Sequence, residues 1–345
     1  MLKPAINLAL QGGGAHGAFT WGVLDRLLEA DVFEIAAISG TSAGALNGAA
    51  VKAGFACAGG GAEAARANLD WLWEQVGAIN DPAMLPWLTA FSPALVSKSI
   101  EFSLPFALSE SIGRMTSPYD SGVFYRNALA PIVARFHYDE ICAAQGPELH
   151  ICATNVRSGK IRVFTGAEIG PDPIMASACL PTMFRAVEIW DPKTERDEAY
   201  WDGGYTGNPA LFPLFHNNLP RDIVVVNINP LHREDLPTTP RDIQNRINEI
   251  SFNSSLLREL RAIQYVKDLL AEGAITQTSK KDVLVHMIAD DALMTQLSVA
   301  TKVTPNAAVL AQLKQAGRAA ADRFLDAHEA DIGTRSSVDL ADMFG

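Results

Sequence analysis

The residues best suited to chemistry stand in three glycine-rich stretches. Gly40-Thr41-Ser42-Ala43-Gly44 reads G-x-S-x-G and joins an apolar run over residues 35–39 to a small-residue helix expected over 43–53. A strand–turn–helix junction of this kind can project a serine as a nucleophile, because the flanking glycines remove the steric bar to a tight turn. The pattern alone is weak, since a serine in a helix-capping turn looks the same. Upstream, Leu8-Ala9-Leu10-Gln11-Gly12-Gly13-Gly14-Ala15-His16-Gly17 offers unencumbered backbone amides at a second strand-to-helix junction. Such amides stabilise negative charge, on a phosphate or on a tetrahedral oxyanion. A plain tight turn is the alternative. Gly12, Gly14 and Gly17 also satisfy G-x-G-x-x-G, but a dinucleotide site needs an acidic residue at the end of the next strand. That strand ends at Ser39-Gly40, and Asp31 and Glu34 lie before it, so the cofactor reading fails. The third stretch is Tyr200-Trp201-Asp202-Gly203-Gly204-Tyr205, followed by Thr206-Gly207-Asn208-Pro209. By itself Asp-Gly-Gly is an ordinary turn signal.

The elements that must position these groups follow from hydrophobic patterning. Residues 5–11 and 35–39 read as buried strands, and residues 18–30 place Phe19, Val23, Leu24, Leu27 and Leu28 at helical spacing. Strand–helix–strand–helix in this order argues for an α/β fold with a parallel sheet. After Gly59-Gly60-Gly61 a helix is expected through Trp71 and Trp73. Residues 82–118 then alternate prolines with Trp87, Phe91, Phe102 and Phe106, without helical period. Their aromatics suit a wall admitting an acyl chain, or packing on the sheet. Strands are expected at 149–154, 161–164, 222–228 and 283–288. A long helix at 241–271 closes at Gly273, and a last one at 305–328 has Pro305 at its start. The mixed charges of the 241–271 helix read as a solvated face, with partner or core packing as its role. No repeat or linker divides the chain. The expected organisation is one domain over 1–345: a core of about 5–230, a helical and aromatic insertion at about 62–148, and a helical and strand extension at about 231–345.

Composition narrows the function classes. The chain has 345 residues, 48% hydrophobic and 19% charged, with a formal net charge of −11. That negative field opposes nucleic acid and anionic lipid surfaces, so membrane contact is expected to be transient, local and apolar. Cys57, Cys142, Cys152 and Cys179 show no metal spacing and read as free thiols in a reduced, cytoplasmic setting. The N-terminal run is too short to span a membrane and lacks a secretory cleavage site. No metal and no cofactor is expected.

Taken together and in order, the three stretches resemble the patatin-like phospholipases. Ala176-Ser177-Ala178-Cys179-Leu180-Pro181 resembles that family's small-residue helix end before the Asp motif, and Asn208-Pro209 its usual Asn after Asp-Gly-Gly; the likeness spans about residues 8–229. The resemblance implies a three-layer α/β/α fold with a mainly parallel central sheet. It also implies a Ser42–Asp202 catalytic dyad, an oxyanion hole from Gly12, Gly13 and Gly14, an elbow framed by Gly40 and Gly44, and an Asp motif completed by Gly203 and Gly204. The implied activity is hydrolysis of lipid esters of the phospholipase A or lysophospholipase type. Many members carry Arg or Lys where this chain has His16, which would be partly charged near neutral pH.

Acyl transfer needs a nucleophile, a base and donors for the developing oxyanion. An ordinary Asp, with a pKa of about 3.9, is a poor base at neutral pH; burial against Trp201 and Tyr205 is expected to raise Asp202. A Ser–acid–His triad is the rival, with His216, His232, His286 or His328 as its base. Outside the hydrolases stand a CoA- or carrier-dependent acyltransferase and a catalytically silent lipid-binding scaffold.

Overall fold

A computed structural model describes residues 3–79, 117–276 and 280–344. The greater part of the proline-rich stretch at 82–118 therefore lies outside the described residues, and with it the expected acyl-admitting wall. Eight strands form one sheet: β1 (Ala5–Leu10), β2 (Glu34–Thr41), β3 (Glu148–Asn155), β4 (Ile161–Thr165), β5 (Val187–Asp191), β6 (Arg196–Asp202), β7 (Asp222–Asn227) and β8 (Leu284–Ala289). Their order is β5-β6-β3-β2-β1-β7-β8, with β4 also pairing with β3. The five central strands β3, β2, β1, β7 and β8 are parallel, whereas β4, β6 and β5 run antiparallel.

The parallel strands are buried on both faces, which is why they read as unbroken apolar runs. Alternate side chains serve two cores. Leu8, Leu10, Val224 and Val226 join one apolar cluster, while Ala9, Ile223 and Val225 join the other. The first cluster lies under α1 (Gly17–Ala30), α2 (Ala43–Ala56) and α3 (Ala62–Ala78), with Leu310, Leu313 and Phe324 of the C-terminal helix. The second is closed by Leu256, Leu260 and Ile263. The result is a three-layer α/β/α sandwich with the sheet in the middle.

Later helices are α4 (Pro171–Ser177), α5 (Pro240–Ala271), α6 (Val299–Val303) and α7 (Ala307–His328). Helix α7 starts after Pro305, and the Asn306 side chain accepts from the amides of Ala308 and Val309. Pro305 thus precedes the cap instead of opening the helix, as the sequence had suggested. Strands β5 and β6 had no sequence signal. β6 carries Arg196, Asp197 and Glu198, and β5 is half-exposed, so neither shows the apolar run of a central strand. Among the described residues no helix is long and apolar enough to cross a membrane.

The C-terminal residues belong to the same sandwich: β8 extends the sheet beyond β7, and α7 packs along α1. Glycines allow that close approach. A Cβ on Gly22 would lie 1.9 Å from the Lys314 carbonyl oxygen, and one on Gly317 would lie 2.0 Å from that of Phe19. We expect Gly317→Val to destabilise the protein by about 2 kcal/mol or more, because backbone must move to admit it. A urea midpoint unchanged from wild type would refute this packing.

Candidate active site

Strands β1, β2 and β6 deliver the three glycine stretches to one end of the sheet. β1 and β2 run side by side, Leu10 facing Gly40, so the chain after each emerges at the carboxyl edge, where ligands bind in open α/β sheets. Between β2 and α2 stands Ser42, with φ 54° and ψ −119°. A non-glycine residue there stores backbone strain of about 1–3 kcal/mol, which the surrounding structure must impose. The neighbours do so by contact. A Cβ on Gly44 would fall 2.1 Å from the Leu10 carbonyl oxygen, and one on Gly40 would fall 2.5 Å from that of Gly44. The Ser42 amide donates to Ser177 Oγ at 2.9 Å, and Thr41 Oγ1 donates to the Gly207 carbonyl at 2.6 Å.

Asp202 ends β6, opposite Ala153 of β3 in antiparallel register. Its amide donates to the Cys179 carbonyl at 2.8 Å, and its carbonyl accepts from Thr154 Oγ1 at 2.8 Å. Gly203 must be glycine, since a Cβ would sit 2.2 Å from the Cys152 carbonyl oxygen. The Asp202 carboxylate is buried and accepts from the Gly204 amide at 2.7 Å, with the Ser42 side chain near enough to act on its pKa. Burial pushes its pKa up to about 7 against the downward pull of the Gly204 amide and the Ser42 side chain. The sequence placed Trp201 against this carboxyl. Strand alternation turns Trp201 to the opposite side of β6, and Tyr205 alone remains close, its ring edge-on to Phe252 of α5. Burial, and then the Asp202 charge, raise the Tyr205 phenol and the Cys179 thiol to about 12 each, so neither ionises near neutral pH.

The glycine loop lies directly on the nucleophile: a Cβ on Gly12 would be 2.7 Å from Ser42 Cβ. The Gly12 amide donates to Asn208 Oδ1 at 2.7 Å, and Asn208 Nδ2 returns a bond to the Gly12 carbonyl at 3.3 Å. Gly12 is thereby clamped, its N–H committed to Asn208. No acceptor among the described residues engages the Gly13 and Gly14 amides. Gln11 Oε1 accepts from Ile228 N, Asn229 N and Asn229 Nδ2, tying the loop to the chain after β7. His16, expected to be partly charged, is buried, with Nε2 2.8 Å from Thr301 Oγ1. Desolvation, then the Lys302 charge, hold its pKa well below the usual value, so it is neutral.

The other histidines are engaged elsewhere. His286 is buried against Asp222 at 3.0 Å, at the opposite end of β7 from the glycine loop. His216 shares a cavity with Glu148 and His150 near the start of β3. His232 is exposed beside Glu234, and His328 faces Asp331. None is a hydrogen-bond partner of Ser42 or Asp202 among the described residues.

Sequence reasoning assigned no role to Gln11, Ser177, Asn229 or Lys302. Ser177 and Asn208 lay within the quoted resemblance, whereas Lys302 carried no signal at all. No group of three or more His, Cys, Asp or Glu side chains among the described residues could hold a metal ion.

Because the folded Asp202 carboxyl is raised to about 7 from the ordinary 3.8 of an aspartate, the folded protein holds its proton more tightly than the unfolded chain does. Its ionisation therefore costs stability progressively as pH rises from about 4 to 7, and the cost is constant above. Asp202→Asn should accordingly be more stable than wild type at pH 8, on the order of a few kcal/mol, with the advantage shrinking toward pH 4. Urea unfolding of both proteins at several pH values checks this; a pH-independent difference would contradict it.

The family model for the patatin-like phospholipases matches residues 8–224, which hold all three glycine stretches. No curated protein sequence matches. Among solved structures, VipD from Legionella pneumophila is 14% identical with a TM-score of 0.42, the match covering 94% of this chain and 67% of VipD. The type III effector ExoU is 15% identical with a TM-score of 0.33, covering 93% of this chain and 53% of ExoU. ExoU in complex with SpcU from Pseudomonas aeruginosa matches at 17% identity and a TM-score of 0.29, over 88% of this chain and 58% of that one. This chain thus spans about half the length of ExoU, and likenesses so distant carry no argument about activity. The family match, covering well over half of the chain, carries the conclusion: this protein belongs to the patatin-like phospholipase family.

Proposed function

We propose that the protein hydrolyses lipid esters, of the phospholipase A or lysophospholipase type, through a Ser42–Asp202 dyad. Family membership implies a lipid-ester hydrolase, and the finer reading rests on the site. What carries it is a buried Asp202 carboxylate whose pKa is raised to about 7 and which the Ser42 side chain lies near enough to pull back down. A base of that strength is well matched to neutral pH, where half of it is ionised and its proton affinity is at its most useful. As Ser42 Oγ bonds to the ester carbonyl carbon, its proton passes to Asp202 and the carbonyl electrons move onto oxygen. The Gly13 and Gly14 amides stand as donors to that oxyanion, with Gly12 giving the close approach and Gly40, Gly44, Gly203 and Gly204 the backbone geometry. Collapse of the intermediate breaks the bond to the leaving alcohol, which takes the proton from Asp202. Water then attacks the acyl-serine by the same route, returning Ser42 and a free acid.

A histidine base finds no support, since each candidate is engaged elsewhere. The acyltransferase alternative calls for a His base and an Arg for the acyl group, and among the described residues neither is a hydrogen-bond partner of Ser42. The silent-scaffold alternative is separated by a fluorophosphonate probe, which should label wild type and leave Ser42→Ala unlabelled.

With a soluble aryl ester, Ser42→Ala should abolish turnover, and Asp202→Asn should lower kcat by about 10³–10⁴, the scale seen when a serine hydrolase loses its base system. Alanine at His216 or at His232 should leave kcat unchanged. A His variant as damaging as Asp202→Asn would sink the dyad. Because the base must be ionised, kcat/KM should rise tenfold per pH unit below about 7 and level off above; a flat profile between pH 5 and 9 would argue against Asp202 as base. A lipid panel run beside Asp202→Asn identifies the headgroup, and equal rates on long-chain and short-chain esters would remove the acyl-channel expectation.

A further inference from the structure

The proposed oxyanion loop carries no charge of its own, because His16 is buried and neutral. A cation nevertheless reaches it from the far end of the chain. Lys302 lies on α6, outside the stretch that the family model matches. Its Nζ donates to Asn229 Oδ1 at 3.0 Å. The same side-chain amide then donates through Nδ2 to the Gly12 carbonyl at 2.8 Å and to Gln11 Oε1 at 3.1 Å. An asparagine amide can be turned either way in its site, with oxygen and nitrogen exchanged. With a cation at one end, only one orientation is favourable: oxygen toward the ammonium, NH2 toward Gly12. The reverse would set Nδ2 against Lys302 and two acceptors, Oδ1 and the Gly12 carbonyl oxygen, against one another.

The Gly12 carbonyl and the Gly13 N–H are the two ends of one peptide group. Donation to the carbonyl oxygen polarises that group and makes its N–H a better donor, and chains of such bonds reinforce one another where water is excluded. The relay runs from Lys302 Nζ through Asn229 to the Gly12–Gly13 peptide, and ends at an amide placed to meet the oxyanion. Helix α6 also touches the loop by backbone, since a Cβ on Gly14 would lie 2.3 Å from the Lys302 carbonyl oxygen. Burial lowers the pKa of the half-buried Lys302 ammonium, the Glu249 charge pulls it back up, and the Arg233 charge adds to the fall. Glu249 is itself buried and paired with Arg233 and Arg246. Holding a lysine in such a place costs free energy, and surface packing of α6 does not require it.

We propose that Lys302 is a positioning residue for the hydrolytic reaction, which orients Asn229 and polarises the Gly12–Gly13 peptide toward the oxyanion. The proposal deepens the hydrolase reading and rests on it. It is tested on the full chain with a soluble aryl ester, comparing wild type, Lys302→Met, Lys302→Gln and Lys302→Arg for kcat, KM and thermal midpoint. Deleting an oxyanion donor outright costs about 10²–10³ in kcat, so weakening one should cost less, about tenfold. We expect Lys302→Met and Lys302→Gln to lose about tenfold in kcat with KM within about twofold, and Lys302→Arg to recover most of the loss. Neutral variants turning over within about twofold of wild type would overturn the proposal, as would an Arg variant as slow as the neutral ones, or losses in kcat tracking the thermal midpoint across all three. A wild type that a fluorophosphonate does not label at Ser42 overturns the hydrolase reading and this one with it. A labelled wild type beside unimpaired Lys302 variants overturns this one alone.

Discussion

Everything at the site depends on how closely three stretches of backbone approach one another at the carboxyl edge of the sheet. Gly12 lies against the Thr41 carbonyl and Ser42 Cβ, Gly44 against the Leu10 carbonyl, and Gly203 against the Cys152 carbonyl. Each contact is shorter than a Cβ would tolerate. Glycine at these positions is therefore a matter of space, and only at Gly14, with φ +59°, does conformation add to it. The compression has two consequences. It holds Ser42 at a strained φ that projects its hydroxyl, and it buries Asp202. A serine and an aspartate so enclosed differ in kind from the same pair in solvent, because desolvation lifts the carboxylate to where it can accept a proton.

That environment is what the proposed dyad relies on to work without a histidine. In a solvated site an Asp is ionised but indifferent to a proton near neutral pH, and imidazole is the usual remedy. Here the remedy is burial, supplied by the β6 terminus, the Tyr205–Phe252 contact and the glycine loop. The Gly204 amide and the Ser42 hydroxyl stop burial from going too far. The cost falls on stability, because the folded protein must carry a carboxylate that would ionise more readily if unfolded. Cys179, close by and also buried, is pushed away from ionisation and stays inert.

Around this centre the polar groups are amides more than charges. Gln11, Asn208, Asn229 and Asn253 bond one another and the loop. A network of this kind rigidifies only if its members are oriented, and one cation among amides is sufficient to set their sense. The C-terminal residues also complete the fold, adding β8 to the sheet and α7 over α1. Residues before and after the sheet's β7 thus pack into one sandwich.

The sequence by itself determined the parallel core and both strand-to-helix junctions. Runs such as residues 5–11 and 222–228 had to be doubly buried strands, and glycines after them had to mark tight turns, since those properties are local. Ser42 and Asp202 were legible as motif residues for the same reason. The tertiary structure alone decided what surrounds them. β5 and β6 form a half-exposed hairpin with charged residues, so no periodicity announced that Asp202 would close a strand beside β3. Trp201 was misplaced because the facing of a side chain follows from a strand not visible in the pattern. The charge of His16, the clamp by Asn208 and the reach of Lys302 depend on contacts spanning up to nearly the whole chain. Burial and partnership are properties of the assembled fold, and no window of residues contains them.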